Sequence, residues 1–189
     1  MTGMRVVQRD QHEWLASAVP RECHFYNQRP DPQDISLLVI HCISLPRGCY
    51  RNQMVQQFFG GYLSKGLHPE LDTIADMQVS AHLFIDRIGD VFQFVPFDQR
   101  AWHAGVSTFA GRHNCNDFSI GIELEGVDDG PFTWAQYQSL GSVTKTLCTY
   151  YSQLVPDRIV GHSDIAPDRK TDPGSGFDWR YYRQLLQSA

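Results

Sequence analysis

Several things are missing from this 189-residue sequence, and each absence narrows what the chain can be. No apolar run reaches the length needed to cross a bilayer, and the opening MTGMRVVQRDQHEW lacks the apolar core of a secretory signal. The expectation from these two absences is a cytoplasmic protein with no membrane partner. There is no excess of positive charge. A formal net charge of -5 excludes general attraction to nucleic acid, so a neutral or modestly charged small substrate is expected, and no obligate protein partner is evident. The five cysteines, Cys23, Cys42, Cys49, Cys115 and Cys148, are odd in number and show no CxxC spacing. That pattern argues against both a disulfide framework and a thiolate metal site. Internal repeats and low-complexity tracts are also lacking.

What remains is the composition of a folded body, 42% hydrophobic and 20% charged, at a length that suits one domain. Pro20, Pro30 and Pro32 with mixed polarity read as an irregular N-terminal arm over residues 1–34, packed on a domain of residues 35–189. ISLLVIH (35–41) is a buried strand that ends in a histidine as the apolar run gives way to a loop. RNQMVQQFFGGYL predicts a short helix stopped by Gly60 and Gly61. VSAHLFID alternates, with Val79, Ala81, Leu83 and Ile85 on one face and Ser80, His82, Phe84 and Asp86 on the other, and RIGD followed by VFQFV predicts a hairpin. FSIGIELE puts Ser119, Gly121, Glu123 and Glu125 on one face, the glycine leaving room for something to lie against the backbone. After Pro131, Trp134, Tyr137, Leu140, Thr144, Leu147, Tyr151 and Leu154 recur at helical spacing behind a Thr133 N-cap. A short RIVGH strand, a long loop and an amphipathic FDWRYYRQLL helix close the chain. Strands mixed with helices throughout indicate an α/β or α+β domain.

The chemistry-bearing residues cluster at strand ends. His41 and His162 each close an apolar segment, and Asp172 follows ten residues after the second. Two imidazoles and a carboxylate make a three-ligand zinc set that keeps a fourth position open. Spacing alone does not separate these residues from ordinary hydrogen-bonded side chains, nor Glu123 from Glu125 as an acid–base group.

The blocks VIHCISLP, VSAHLFIDRIGDVFQFVPFDQRAWHAGVS, CNDFSIGIELEG and GHSDIAPDRKTDPGSGFDW, in this order, resemble the signatures of the AmpD-type N-acetyl-anhydromuramyl-L-alanine amidases. These belong to the wider zinc amidase and peptidoglycan-recognition group. The resemblance runs from about residue 35 to the C-terminal helix. It implies a central mixed sheet flanked by helices, with the metal site at one edge, and Zn2+ held by His41, His162 and Asp172. It also implies Glu123 as general base, Lys170 as oxyanion stabiliser, and hydrolysis of the muramoyl–L-alanine bond of small muropeptides in peptidoglycan recycling. His82, Trp102, His103 and Asn116 are candidates for substrate contact, with Asp117 as a further contact or turn residue.

Three positions depart from the family pattern. Cys42 follows the first ligand where asparagine is common, and Gln78 and Asn114 stand where arginines that grip peptide carboxylates are implied. Cys42 is expected to point away from the metal, because neighbouring strand residues face opposite sides. Two other readings carry distinct marks. A non-catalytic peptidoglycan-recognition module would have lost a ligand, and an amidase of polymeric peptidoglycan would clear cell-wall suspensions.

Overall fold

The computed structural model describes residues 4–187. The chain opens with a hairpin of β1 (Val6–Arg9) and β2 (His12–Leu15), then β3 (Val19–Pro20) and β4 (Tyr26–Gln28), before the long β5 (Leu37–Ile43). Two short helices follow, α1 (Met54–Gly60) and α2 (Pro69–Ile74). Next come β6 (Leu83–Ile85), β7 (Val91–Gln93), β8 (Gln99–Ala101), β9 (Thr108–Phe109), β10 (Arg112–His113) and the second long strand, β11 (Ser119–Glu125). Helix α3 (Trp134–Tyr150), β12 (Ile159–Gly161), the single turn α4 (His162–Ile165) and α5 (Trp179–Gln187) complete the fold.

Six strands form one mixed sheet in the order β12-β5-β11-β6-β7-β3. β12, β5, β11 and β6 run parallel, β6 and β7 are the antiparallel hairpin, and β3 is parallel to β7 at the far edge. Burial on both faces explains why the central strands read as apolar runs. One face, with Leu38, Ile40, Ile120, Ile122 and Leu124, packs against Tyr137, Leu140, Val143 and Leu147 of α3 and Tyr182 of α5. The opposite face splits into two smaller clusters, one gathering Phe58 and Phe59 of α1 with Phe84 and Phe94, the other Leu37 and Val39 with Phe118 and Ile165.

Local sequence accounts for most element ends. Thr133 accepts the Gln136 backbone N–H while Gln136 Oε1 accepts the Thr133 N–H, a reciprocal cap that starts α3. Gly61, at φ +79, adopts the left-handed conformation that ends α1. Gly121 has no Cβ because the His103 ring lies where one would be, 2.4 Å away.

Three expectations need correction. The N-terminal arm is not irregular, because residues 6–28 form four strands and β3 joins the central sheet. Its hairpin turns through Asp10 and Gln11, both at positive φ, so the glycine that normally advertises such a turn is missing. The VSAHLFID strand is shorter than its alternation suggests. Only Leu83 to Ile85 are strand, and Val79 and Ala81 pack with Phe84 on the face opposite Leu83 and Ile85. Trp134 opens α3 but is exposed, so the packing stripe begins at Tyr137.

Arg29 ties the arm to the sheet. It is 5% exposed, and its guanidinium donates to the carbonyls of Phe97, Asn116, Asp117 and Ser119 at 2.7–3.1 Å. Burial lowers its pKa to about 10, which leaves it charged at neutral pH. Removing it leaves four carbonyls short of a charged donor. Arg29→Ala is therefore expected to lower stability by about 3 kcal/mol in urea unfolding, and a loss under about 1 kcal/mol would contradict this role.

Candidate metal centre and active site

Parallel pairing of β5 and β11 sets the site. His41 and Glu123 are register partners on adjacent strands, so their side chains leave the sheet on the same face. The edge strand β12 pairs with β5 and delivers His162 as the first residue of α4. The following loop returns past the same point, where the Ser163 N–H donates to the Asp172 carbonyl at 2.9 Å. Gly161 allows this approach, since a Cβ there would lie 2.8 Å from Pro173.

The three expected ligands converge. His41 Nδ1 lies 3.0 Å from His162 Nδ1 and 3.0 Å from Asp172 Oδ2, and His162 Nδ1 lies 3.1 Å from the same oxygen. They form the one group of three or more histidine, cysteine or acidic side chains with metal-holding geometry among the described residues. Ligands of a tetrahedral zinc at ~2.0–2.1 Å are separated by roughly 3.3 Å, so this triangle fits such an ion with little adjustment.

The outer nitrogens support the same reading. His162 Nε2 lies 3.1 Å from the Ala104 carbonyl, which can only accept, so Nε2 carries a proton and Nδ1 is the nitrogen left to face a metal. His41 Nε2 lies 3.0 Å from His103 Nδ1, and His103 Nε2 lies 3.1 Å from Ser119 Oγ, a chain that accommodates the same tautomer for His41. Burial lowers the His41 pKa to about 4, so its imidazole is neutral at neutral pH, as a ligand must be. Burial alone would raise the Asp172 pKa, but the bonds to both imidazoles outweigh it and hold the carboxyl below its ordinary range. Cys42 projects from the opposite side of β5, packs against the α3-side core, and directs its thiol at the Pro173 carbonyl.

Glu123 lies beside this triangle. Its Oε2 is buried with no hydrogen-bond partner, and burial followed by the nearby Asp172 charge raises its pKa well above the ordinary carboxylate value, with Lys170 acting in the other direction. Lys170 and Asp172 line the same cavity, as their two-residue spacing predicts, while Thr171 between them turns away to Asp128. Lys170 makes no ion pair among the described residues. Glu125 has a different task. It is 2% exposed and accepts the backbone N–H groups of Arg51 and Arg87, which makes it a loop anchor.

The site opens into a cleft of about 270 Å³. Phe58, Phe59, Ile74, Met77, Val79 and Trp102 form its apolar wall, and His103, Glu123, Lys170 and the three candidate ligands its polar side. Trp102 is held by its indole N–H on Asn27 Oδ1 at 2.7 Å and by stacking on Phe25. An adjoining pocket of about 390 Å³ shares Cys42, Ile43, Lys170 and Asp172 and adds Arg47, Glu70, Asp128 and Arg169. Trp102 and His103 thus stand where substrate contact was expected. His82 and Asn116 do not. The His82 ring is fully buried, accepts the Gly121 N–H and meets the Gln99 carbonyl, and Asn116 is 6% exposed and bonded to backbone. Asp117 pairs with Arg100. Gln78 is exposed between Met77 and Val79, and Asn114 takes a left-handed φ of 59°. The α1 wall was not anticipated as part of the site, although the FFGG segment marks where a helix ends against it.

The model of the N-acetylmuramoyl-L-alanine amidase family matches residues 31–175. The chain belongs to that family. Among relatives of this amidase family, the 1,6-anhydro-N-acetylmuramyl-L-alanine amidase AmpD of Salmonella typhimurium (strain SL1344) is 50% identical over 173 residues, 92% of each chain. A crystal structure of a selenomethionine AmpD derivative superposes with a TM-score of 0.89 at 50% identity, covering 92% of this chain and 96% of that one. The Escherichia coli amidase AmiD, solved with anhydro-N-acetylmuramic acid-L-Ala-D-gamma-Glu-L-Lys, gives a TM-score of 0.61 at 28% identity and covers 97% of this chain and 66% of that one. The mixed sheet with helices on both faces is the fold of these amidases.

The buried neutral imidazoles have a consequence for the metal-free protein. His41, His82 and His103 all have pKa values lowered first by burial, whereas unfolded histidine titrates near ~6.5. Below that value the unfolded chain binds more protons than the folded one, so stability present above it is lost as pH falls toward the folded pKa values. Glu123, raised in the fold, acts in the opposite sense but is one group against three. With chelator present, Tm is expected to fall by roughly 5 °C or more between pH 7 and pH 5, followed by differential scanning calorimetry. A flat or rising Tm would contradict the neutral buried cluster.

Proposed function

We propose that this chain is a zinc-dependent amidase that hydrolyses the bond between the lactyl carbonyl of N-acetylmuramic acid, in its 1,6-anhydro form, and the L-alanine of a small muropeptide. The observation that carries it is the placement of Glu123, buried and unpartnered at Oε2, beside the His41–His162–Asp172 triangle in the same cleft. Zinc, when held by those three residues, supplies a Lewis acid that polarises the amide carbonyl and makes water acidic enough to be deprotonated near neutral pH.

The residues of the chain do the rest. Glu123 takes the proton of the attacking water and returns it to the departing alanine nitrogen, and a pKa raised by burial suits a group that must both accept and donate. Lys170 places its ammonium where the carbonyl oxygen gains negative charge. Trp102, with Phe58 and Phe59, gives the sugar and lactyl group an apolar surface, and the polar pocket around Arg47 and Arg169 receives the peptide. Arginines are absent at Gln78 and Asn114, so the peptide carboxylates rely on other contacts. Five free cysteines suit a reducing compartment, and none of the described helices is long and apolar enough to cross a membrane. We place the reaction in the cytoplasm, within peptidoglycan recycling.

The test is a digest of anhydromuramyl-tripeptide followed by mass spectrometry, with zinc, with chelator, and with zinc restored. Cleavage lost with chelator and recovered with zinc is expected, and an intact substrate under all three conditions would refute the assignment. Glu123→Gln is expected to bind zinc normally and to lower kcat by about 10²–10⁴. A full rate would remove Glu123 from the reaction, and muropeptide binding without any cleavage by the native protein would favour a recognition module.

A further inference from the structure

Both candidate ligand histidines depend for their outer hydrogen bond on two consecutive residues. His103 faces His41 Nε2 with its ring nitrogen, and Ala104 faces His162 Nε2 with its carbonyl. Neither residue belongs to a helix or strand. Their two backbone N–H groups are held instead by one side chain, the Asn116 carboxamide, whose Oδ1 accepts the His103 N–H at 3.1 Å and the Ala104 N–H at 2.7 Å. Asn116 is itself fixed. It is buried, its carbonyl accepts Arg29 Nη1 at 3.1 Å, and the preceding Cys115 N–H donates to Ser107 Oγ at 3.1 Å.

We propose that Asn116 is a positioning residue of the metal site, which by clamping two successive backbone N–H groups aligns the acceptors that orient both His41 and His162. This rests on the zinc reading of the site given above. A ligand imidazole needs its proton on the nitrogen remote from the metal, and that preference is set by the acceptor placed there. When the 103–104 backbone shifts, His41 loses its partner ring and His162 its carbonyl together. The Ala104 carbonyl also receives Arg169 Nη2 at 2.7 Å, so the His162 side has a second tether. Apart from Asn116, His103 is restrained through its ring, by Ser119 Oγ and by packing against His82 and Gly121, with no second tether on its backbone, and the His41 side is therefore the more sensitive. Asn116 does not line the cleft, which separates this role from substrate binding.

Three variants test it. Asn116→Leu removes the acceptor at similar volume, Asn116→Asp keeps an oxygen in its place, and Thr108→Val removes a hydrogen bond to His113 in the same loop that does not touch Asn116. Zinc dissociation constants are measured by competition with a chromophoric chelator at pH 7.5, beside urea unfolding of the metal-free proteins. Asn116→Leu is expected to weaken zinc binding by about tenfold or more, as loss of an outer-shell partner does, with Asn116→Asp restoring most of it. Thr108→Val is expected to keep native zinc affinity. Native affinity in Asn116→Leu, or equal weakening in Thr108→Val, overturns the proposal. Should Asn116→Leu not fold, Asn116→Ser takes its place, because its shorter side chain cannot reach both N–H groups; the same weakening is expected, and native affinity in it overturns the proposal. A native protein that binds no zinc would instead reject the metal reading.

Discussion

Three electron-pair donors crowd within 3.1 Å of one another at the C-terminal ends of two parallel strands, and the rest of the site follows from that crowding. Two imidazole nitrogens and a carboxylate oxygen with their lone pairs this close repel unless something positive lies among them. A proton shared with Asp172 relieves part of the repulsion, and a divalent ion relieves all of it. The fold supports the arrangement with parallel β5–β11 pairing, a glycine at 121 that admits the His103 ring, and acceptors for both outer nitrogens.

That geometry divides labour among acidic residues that look alike in sequence. Glu123 and Glu125 share a strand face, yet Glu125 accepts two backbone N–H groups and serves the loops, while Glu123 keeps a buried oxygen unpartnered. Satisfying one carboxylate and leaving its neighbour unsatisfied costs stability at Glu123, the expected signature of a group kept for chemistry. Asp172 is held ionised by its imidazole neighbours and Glu123 is biased toward its protonated form, so two carboxylates in one cavity take up different roles.

Much of this was legible in the sequence because the relevant signals are periodic or local. ISLLVIH and FSIGIELE read as buried strands, Thr133 as an N-cap and Gly60-Gly61 as a helix stop, and the motif blocks singled out His41, His162 and Asp172. What stayed hidden depends on partners distant in the chain. Arg29 binds backbone carbonyls, which every residue carries, so no pattern around residues 97–119 announces it. His82 and Asn116 looked like substrate contacts because polar side chains on a strand and a turn usually face water. They are buried because backbone N–H groups of β11 and of the 103–104 segment needed acceptors there. The N-terminal hairpin was missed because Asp10 and Gln11 adopt positive φ without glycine.

X-ray absorption at the zinc edge on the reconstituted native protein tests the central claim most directly. The account predicts one zinc per chain in a shell of nitrogen and oxygen at ~2.0–2.1 Å, with imidazole scattering from two histidines and no sulfur. A sulfur neighbour at ~2.3 Å, which would bring Cys42 into the shell, or a spectrum without histidine scattering, would contradict it.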